Sequence, residues 1–177
     1  MKTTACKGFL FVLTLGLALL SSSTAHAQNG VYATYTTATM TNIGGNIPQM
    51  NGATVGFFVQ DRRKKVLKGG VDFRGNILSG NYGTSTDHWL GGLRLVVLPS
   101  RRVPIAPYAE FLIGGAHSLL FPSGKGETFF MSAFVAGADY KIARHFDWRV
   151  VDFTYSRINA TNPFNPVMVA TGLVARF

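Results

Sequence analysis

His88, His117 and His145 are the side chains of this sequence best suited to move a proton near neutral pH. A hydroxyl nucleophile needs such a base within reach on the same face of its element. In Ala116-His117-Ser118-Leu119 the hydroxyl directly follows the imidazole. On a strand, consecutive side chains point to opposite faces, so these two diverge. Glu127 lies across a loop from them, and His88 has Asp87 beside it but no serine at alternating spacing. No nucleophile–base–acid triad assembles from these residues. The histidines are singletons without a His-Glu-x-x-His pattern or a carboxylate cluster, which excludes the common zinc arrangements. Gly124-Lys125-Gly126 lacks the upstream glycine and the following Ser or Thr of a phosphate-binding loop. The expectation is a protein without enzymatic activity, cofactor or metal.

A different set of reactive groups is arranged with more order. Lys68, Asp72, Arg74, Arg94, Glu110, Asp139, Lys141, Asp152 and Arg176 fall on one face of their segments, while the other face is aliphatic and aromatic. The clearest case is about residues 66–78. There Leu67, Gly69, Val71, Phe73 and Gly75 alternate with Lys68, Gly70, Asp72, Arg74 and Asn76. Arg149 has the wrong parity to join Asp152 unless a bulge intervenes near Val150-Val151.

The elements that must position these charges are strands, because the dominant period is two and turn signals separate the segments. They run over about residues 31–41, 53–61, 66–78, 88–98, 105–116, 129–142, 147–157 and 167–177. Each is close to the length of a tilted membrane crossing, ~9–11 residues. Short turns alternate with longer loops, which is the pattern of an eight-stranded, antiparallel, up-and-down transmembrane β-barrel. A soluble sandwich would carry the opposite polarity, apolar inside and polar outside. A barrel of this size has room inside only for its own side chains, so the inward charges should pair with one another and close the lumen.

Residues 1–27 read as a cleaved signal peptide, with Lys2 and Lys7 ahead of an apolar run and Ala25-His26-Ala27 at the cleavage point. The apolar run is too short to span a bilayer as a helix. The only cysteine, Cys6, precedes that run, so residues 28–177 form one barrel domain without disulfide or thiol chemistry. Loss of Lys2 and Lys7 lowers the net charge from +9 to +7. Arg62, Arg63, Lys64, Lys65, Arg101, Arg102 and Arg144 all fall in the short turns, away from any aromatic stacking platform. Nucleic acid is therefore not expected as a partner. An anionic lipid surface would suit such a rim.

The stretch Gly137-Ala-Asp-Tyr-Lys-Ile-Ala-Arg-His-Phe-Asp-Trp-Arg-Val-Val-Asp-Phe-Thr-Tyr155 resembles the penultimate hairpin of the OmpA/OmpX-like small outer-membrane β-barrels. The final segment, Val167-Met-Val-Ala-Thr-Gly-Leu-Val-Ala-Arg-Phe177, is similar to that family's last strand. The resemblance implies an integral outer-membrane protein of a Gram-negative cell, consisting of the barrel without a peptidoglycan-binding domain. It also implies that Phe177 serves as the C-terminal signal read by the barrel-assembly machinery. Some barrels in that group act on lipid A through a His-x-Ser spacing, which this sequence lacks.

The expected function is accordingly structural or surface-interacting, in a monomer surrounded by outer-membrane lipid. Any surface partner would meet the loops at residues 42–51 and 117–128. Two alternatives remain: a barrel enzyme modifying lipid A or phospholipid, and a soluble secreted ligand-binding barrel.

Overall fold

The computed structural model describes residues 27–41, 49–61, 66–80, 84–98, 104–118, 126–160 and 164–177. Residues 1–26 of the proposed leader, the basic segment 62–65, Arg101 and Arg102 lie outside the described residues.

Eight strands follow one another in chain order: β1 (Ala27–Thr41), β2 (Gln49–Asp61), β3 (Leu67–Gly80), β4 (Ser85–Val97), β5 (Ile105–Ser118), β6 (Glu127–Lys141), β7 (Phe146–Asn159) and β8 (Asn165–Arg176). Each pairs with its neighbour in antiparallel fashion, and β1 pairs with β8, so the sheet closes on itself. Closure removes the exposed edges that an open sheet would have to protect.

Most strands extend past the bounds that alternation alone indicates. Residues 49–51 belong to β2, His117 and Ser118 to β5, and Glu127 and Thr128 to β6, so the ends of the expected contact loops are strand, while 42–48 and 119–125 lie outside the described residues. The connections also differ less in length than the sequence reading expects. Residues 42–48, 81–84, 119–126 and 160–164 join strands at one end, and 62–66, 98–104 and 142–145 at the other. Both chain ends of the barrel lie at this second end, called here the turn end; the first is the loop end.

The outer surface is apolar. Val71, Phe73, Ile77, Leu93, Leu95, Phe111, Ile113, Phe134, Phe153, Val169 and Leu173 are all exposed. Trp89 and Phe130 lie toward the loop end of this belt, and Tyr140, Phe146, Trp148 and Phe177 toward the turn end, as in the aromatic girdles of membrane barrels. Beyond Trp89 and Phe130 the outward positions turn polar, with Asn51, Ser79 and Thr128 exposed. The additional strand length therefore projects past the hydrocarbon. Water cannot cover such a belt without a large loss of hydrophobic free energy, so the covering phase is lipid.

Candidate functional site

The barrel lumen divides into two layers of different chemistry. The layer running from mid-barrel to the turn end holds Arg74, Arg94, Arg149, Arg176 and Lys68 with Asp72, Glu110, Asp139, Asp147 and Asp152. These five bases balance these five acids, so the filled lumen carries no net charge. The sequence has eight acids in all, and most of them are spent here.

The contacts form one connected network. Arg74 binds both Asp152 oxygens at 3.2 Å, reaches Asp72 at 3.3 Å, and pairs with Glu110. Glu110 also pairs with Arg94, which donates to Asp139 at 3.1 Å. Asp139 accepts further bonds from Arg149 at 3.0 Å and from Arg176 at 3.1 Å. Arg176 in turn pairs with Asp147, and Arg149 reaches Asp152 at 3.4 Å. Shared carboxylates and multiple bonds per guanidinium offset the desolvation that makes isolated buried charges costly.

Aromatic rings interleave with these arginines. The Arg149 guanidinium lies 4.0 Å from the Tyr32 ring centroid and 4.8 Å from that of Tyr108. Arg94 lies 4.0 Å from Tyr108 and 4.5 Å from Phe58, and Arg176 lies 5.3 Å from Phe58. The result is an alternating stack of rings and guanidinium groups, which binds cations where no further acceptor is present. The two phenols also donate to the network, Tyr32 to Asp72 at 2.8 Å and Tyr108 to Asp152 at 2.7 Å.

Glycine makes room for this stack. Tyr32 pairs across strands with Gly56, Tyr108 with Gly137 and Phe58 with Gly30. A Cβ at any of the three glycines would overlap the facing ring. Sequence reasoning finds the charges by parity and puts Tyr108 on the face of Glu110, but gives these rings no role. The signal that would have exposed them is an inward aromatic whose cross-strand partner is glycine, which requires the register.

The structure adds Arg149 and Asp147 to the inward charges and removes Lys141. A register irregularity between Arg149 and Asp152 leaves both Val150 and Val151 on the outer face and turns Arg149 inward. Thr171 sits opposite this bulge, donating to the Arg149 carbonyl at 3.0 Å and accepting from the Trp148 indole at 3.1 Å. A threonine on the lipid face thus satisfies backbone that the bulge releases from the ladder. Lys141 is exposed at the rim, where β6 ends beside Asp147 of β7. Beyond the last enclosed layer, a lysine keeps its ammonium hydrated in solvent.

The loop-end layer is mostly apolar. Met40, Met50, Met131, Leu78, Leu112 and Ile158 are fully buried there, with Phe164 and Met168 nearly so. Among them sits His88, 2% exposed, with no hydrogen-bond partner for either ring nitrogen. His117 instead lies on the outer face, its Nδ1 3.2 Å from the Thr128 hydroxyl and Asp87 opposite on β4. The Ser118 side chain lies outside the described residues. His145 Nδ1 donates to the Arg176 carbonyl at 3.2 Å in the β6–β7 turn. The three histidines therefore occupy three separate environments. Among the described residues, no group of His, Cys, Asp and Glu is placed to hold a metal ion.

No family model matches the chain, and no curated protein matches it in sequence. Solved structures do share its fold. It is similar to Neisserial surface protein A, with a TM-score of 0.59 and 15% identity over 84% of this chain and 97% of that one. It is also similar to Ail, the attachment invasion locus protein of Yersinia pestis, with a TM-score of 0.57 and 13% identity over 86% and 99%. Ail in complex with the heparin analogue sucrose octasulfate gives a TM-score of 0.53 at 12% identity over 86% and 99%. These neighbours are integral outer-membrane β-barrels. The chain has their fold, the one that its resemblance to the OmpA/OmpX-like barrels implies.

Proposed function

We propose that this barrel, built on the fold of integral outer-membrane proteins, is a closed structural component of the outer membrane that offers its loop end for surface contacts. The observation that carries this reading is the charge-balanced network threading the lumen. Opening a water path through it requires separating several arginine–carboxylate pairs. Several mutually satisfied pairs must give way at once, so the closed arrangement is favoured. Outer-membrane lipid is the main partner, covering the apolar belt of a monomer. The Phe177 ring faces outward into that belt and is 64% exposed.

Envelope fractionation and gene deletion test this reading together. The protein should fractionate with the outer membrane and migrate differently on gels before and after boiling. Cells lacking it should take up small solutes at the wild-type rate and become more sensitive to detergent. Slowed solute uptake in those cells would instead assign the barrel to transport.

A further inference from the structure

We propose that the loop-end layer of the lumen binds a soft monovalent metal cation of the Cu(I) class, through His88 and the thioether sulfurs of Met50 and Met168. The inference goes beyond the structural reading above and does not depend on it.

Methionine is placed with a bias that packing alone does not require. The sequence has five methionines, and the four other than Met1 are all buried in the loop-end layer. Leucine or valine would fill that space with better-defined rotamers. The layer also contains polar atoms without partners: both ring nitrogens of His88 and the side-chain oxygen of Asn76. Leaving a buried polar group unsatisfied costs about 1–3 kcal/mol, a cost that a phenylalanine or leucine at position 88 would avoid.

The unsatisfied atoms and the sulfurs belong to the same layer. Asn76 on β3 pairs directly with His88 on β4, which places their side chains side by side. The Asn76 amide nitrogen lies 3.7 Å from the Met168 sulfur. Thr86, the preceding inward residue on β4, has its hydroxyl 3.8 Å from the Met50 sulfur. Ala116 faces His88 from β5, so the cross-strand neighbour on that side is a single methyl group. Two thioethers and an imidazole are thus buried in one layer, each sulfur beside a polar residue that neighbours His88 in the ladder.

The donor chemistry selects the ion. Thioether and imidazole are soft to borderline ligands that favour Cu(I) over hard cations such as Mg²⁺ or Ca²⁺. Both kinds of donor are neutral. The five lumen carboxylates belong to the other layer, where arginines hold them. A single positive charge can be desolvated in such surroundings far more readily than a double one.

The test uses the folded protein in detergent micelles, labelled with ¹³C at methionine methyls and ¹⁵N at histidine. Ag(I) serves as the redox-inert probe, followed by Cu(I) under anaerobic, reducing conditions. One equivalent should shift the Met50 and Met168 methyls and the His88 ring nitrogens, while Zn²⁺ and Mg²⁺ leave them unmoved. Met168→Leu and Met50→Leu, which conserve volume, should each weaken binding at least about tenfold, as when a metal site loses a supporting group. Unmoved His88 and methionine resonances at excess Ag(I) would overturn the proposal. Undiminished affinity in the folded double leucine variant would do the same. The wild-type spectra decide the matter alone where a variant does not fold.

Discussion

Glu110 holds Arg74 and Arg94 at once, so its removal leaves two buried guanidinium groups short of a counter-charge. Glu110→Ala should lower folding stability by about 3–5 kcal/mol, the range for breaking a buried pair by deleting one partner. Urea unfolding in micelles, followed by the gel shift between folded and unfolded barrel, measures this directly. Tyr108→Phe makes a smaller cut. It keeps the ring between Arg94 and Arg149 and removes only the bond to Asp152. The same assay should show a loss of about 1.5–3 kcal/mol, typical of a hydrogen bond to a charged group. At this scale the sequence is legible where parity is enough, as for Asp72, Arg74 and Arg94. It is not legible for Tyr32, Tyr108 and Phe58, because a ring facing a polar lumen has meaning only beside its glycine and its arginine. Lys141 fails for the opposite reason: parity indicates a face, but not how far along the strand the lumen remains enclosed.

The strand is the scale at which alternation has to be kept, and β7 breaks it once. Val150 and Val151 both face outward because two residues of β7 oppose Thr171 alone. Deleting Val150 removes the extra residue and leaves Arg149 and Asp152 facing inward in a regular ladder. That variant should still assemble into a heat-modifiable barrel. Deleting Phe153 has the opposite effect, because a one-residue slip sends every side chain on one side of the deletion to the wrong face. It should not assemble, and failure of both deletions or survival of both would contradict this account of the bulge. The hairpin from Gly137 to Tyr155 contains the sequence cue for this bulge, since Arg149 and Asp152 share a face only if an extra residue intervenes. Strand ends were less legible. Asn51, Thr128 and Asn159 look like loop by composition, yet closure of the sheet extends the ladder through them.

At the scale of the whole molecule the charges sort by compartment. The lumen is balanced, while Lys141 and Arg144 leave a basic excess outside it at the turn end. The sign and the side of this excess follow from the order of strands, which alternation and turn residues make readable. The inside-out distribution can be challenged with a single change. Leu93 is 67% exposed and pairs across strands with Val71 and Phe111. In water, Leu93→Arg would be neutral or favourable, but at mid-bilayer it should cost about 2–4 kcal/mol. A comparison of unfolding in liposomes for the variant and its parent supplies that number, and no loss would place this face in water. The central claim is that a charge-balanced, ring-stacked core closes the lumen. Its most direct measurement is the current carried by the purified, folded barrel in a planar lipid bilayer. The account predicts a baseline indistinguishable from the protein-free membrane across moderate voltages. Stable, ohmic single-channel steps from the wild-type protein would contradict it.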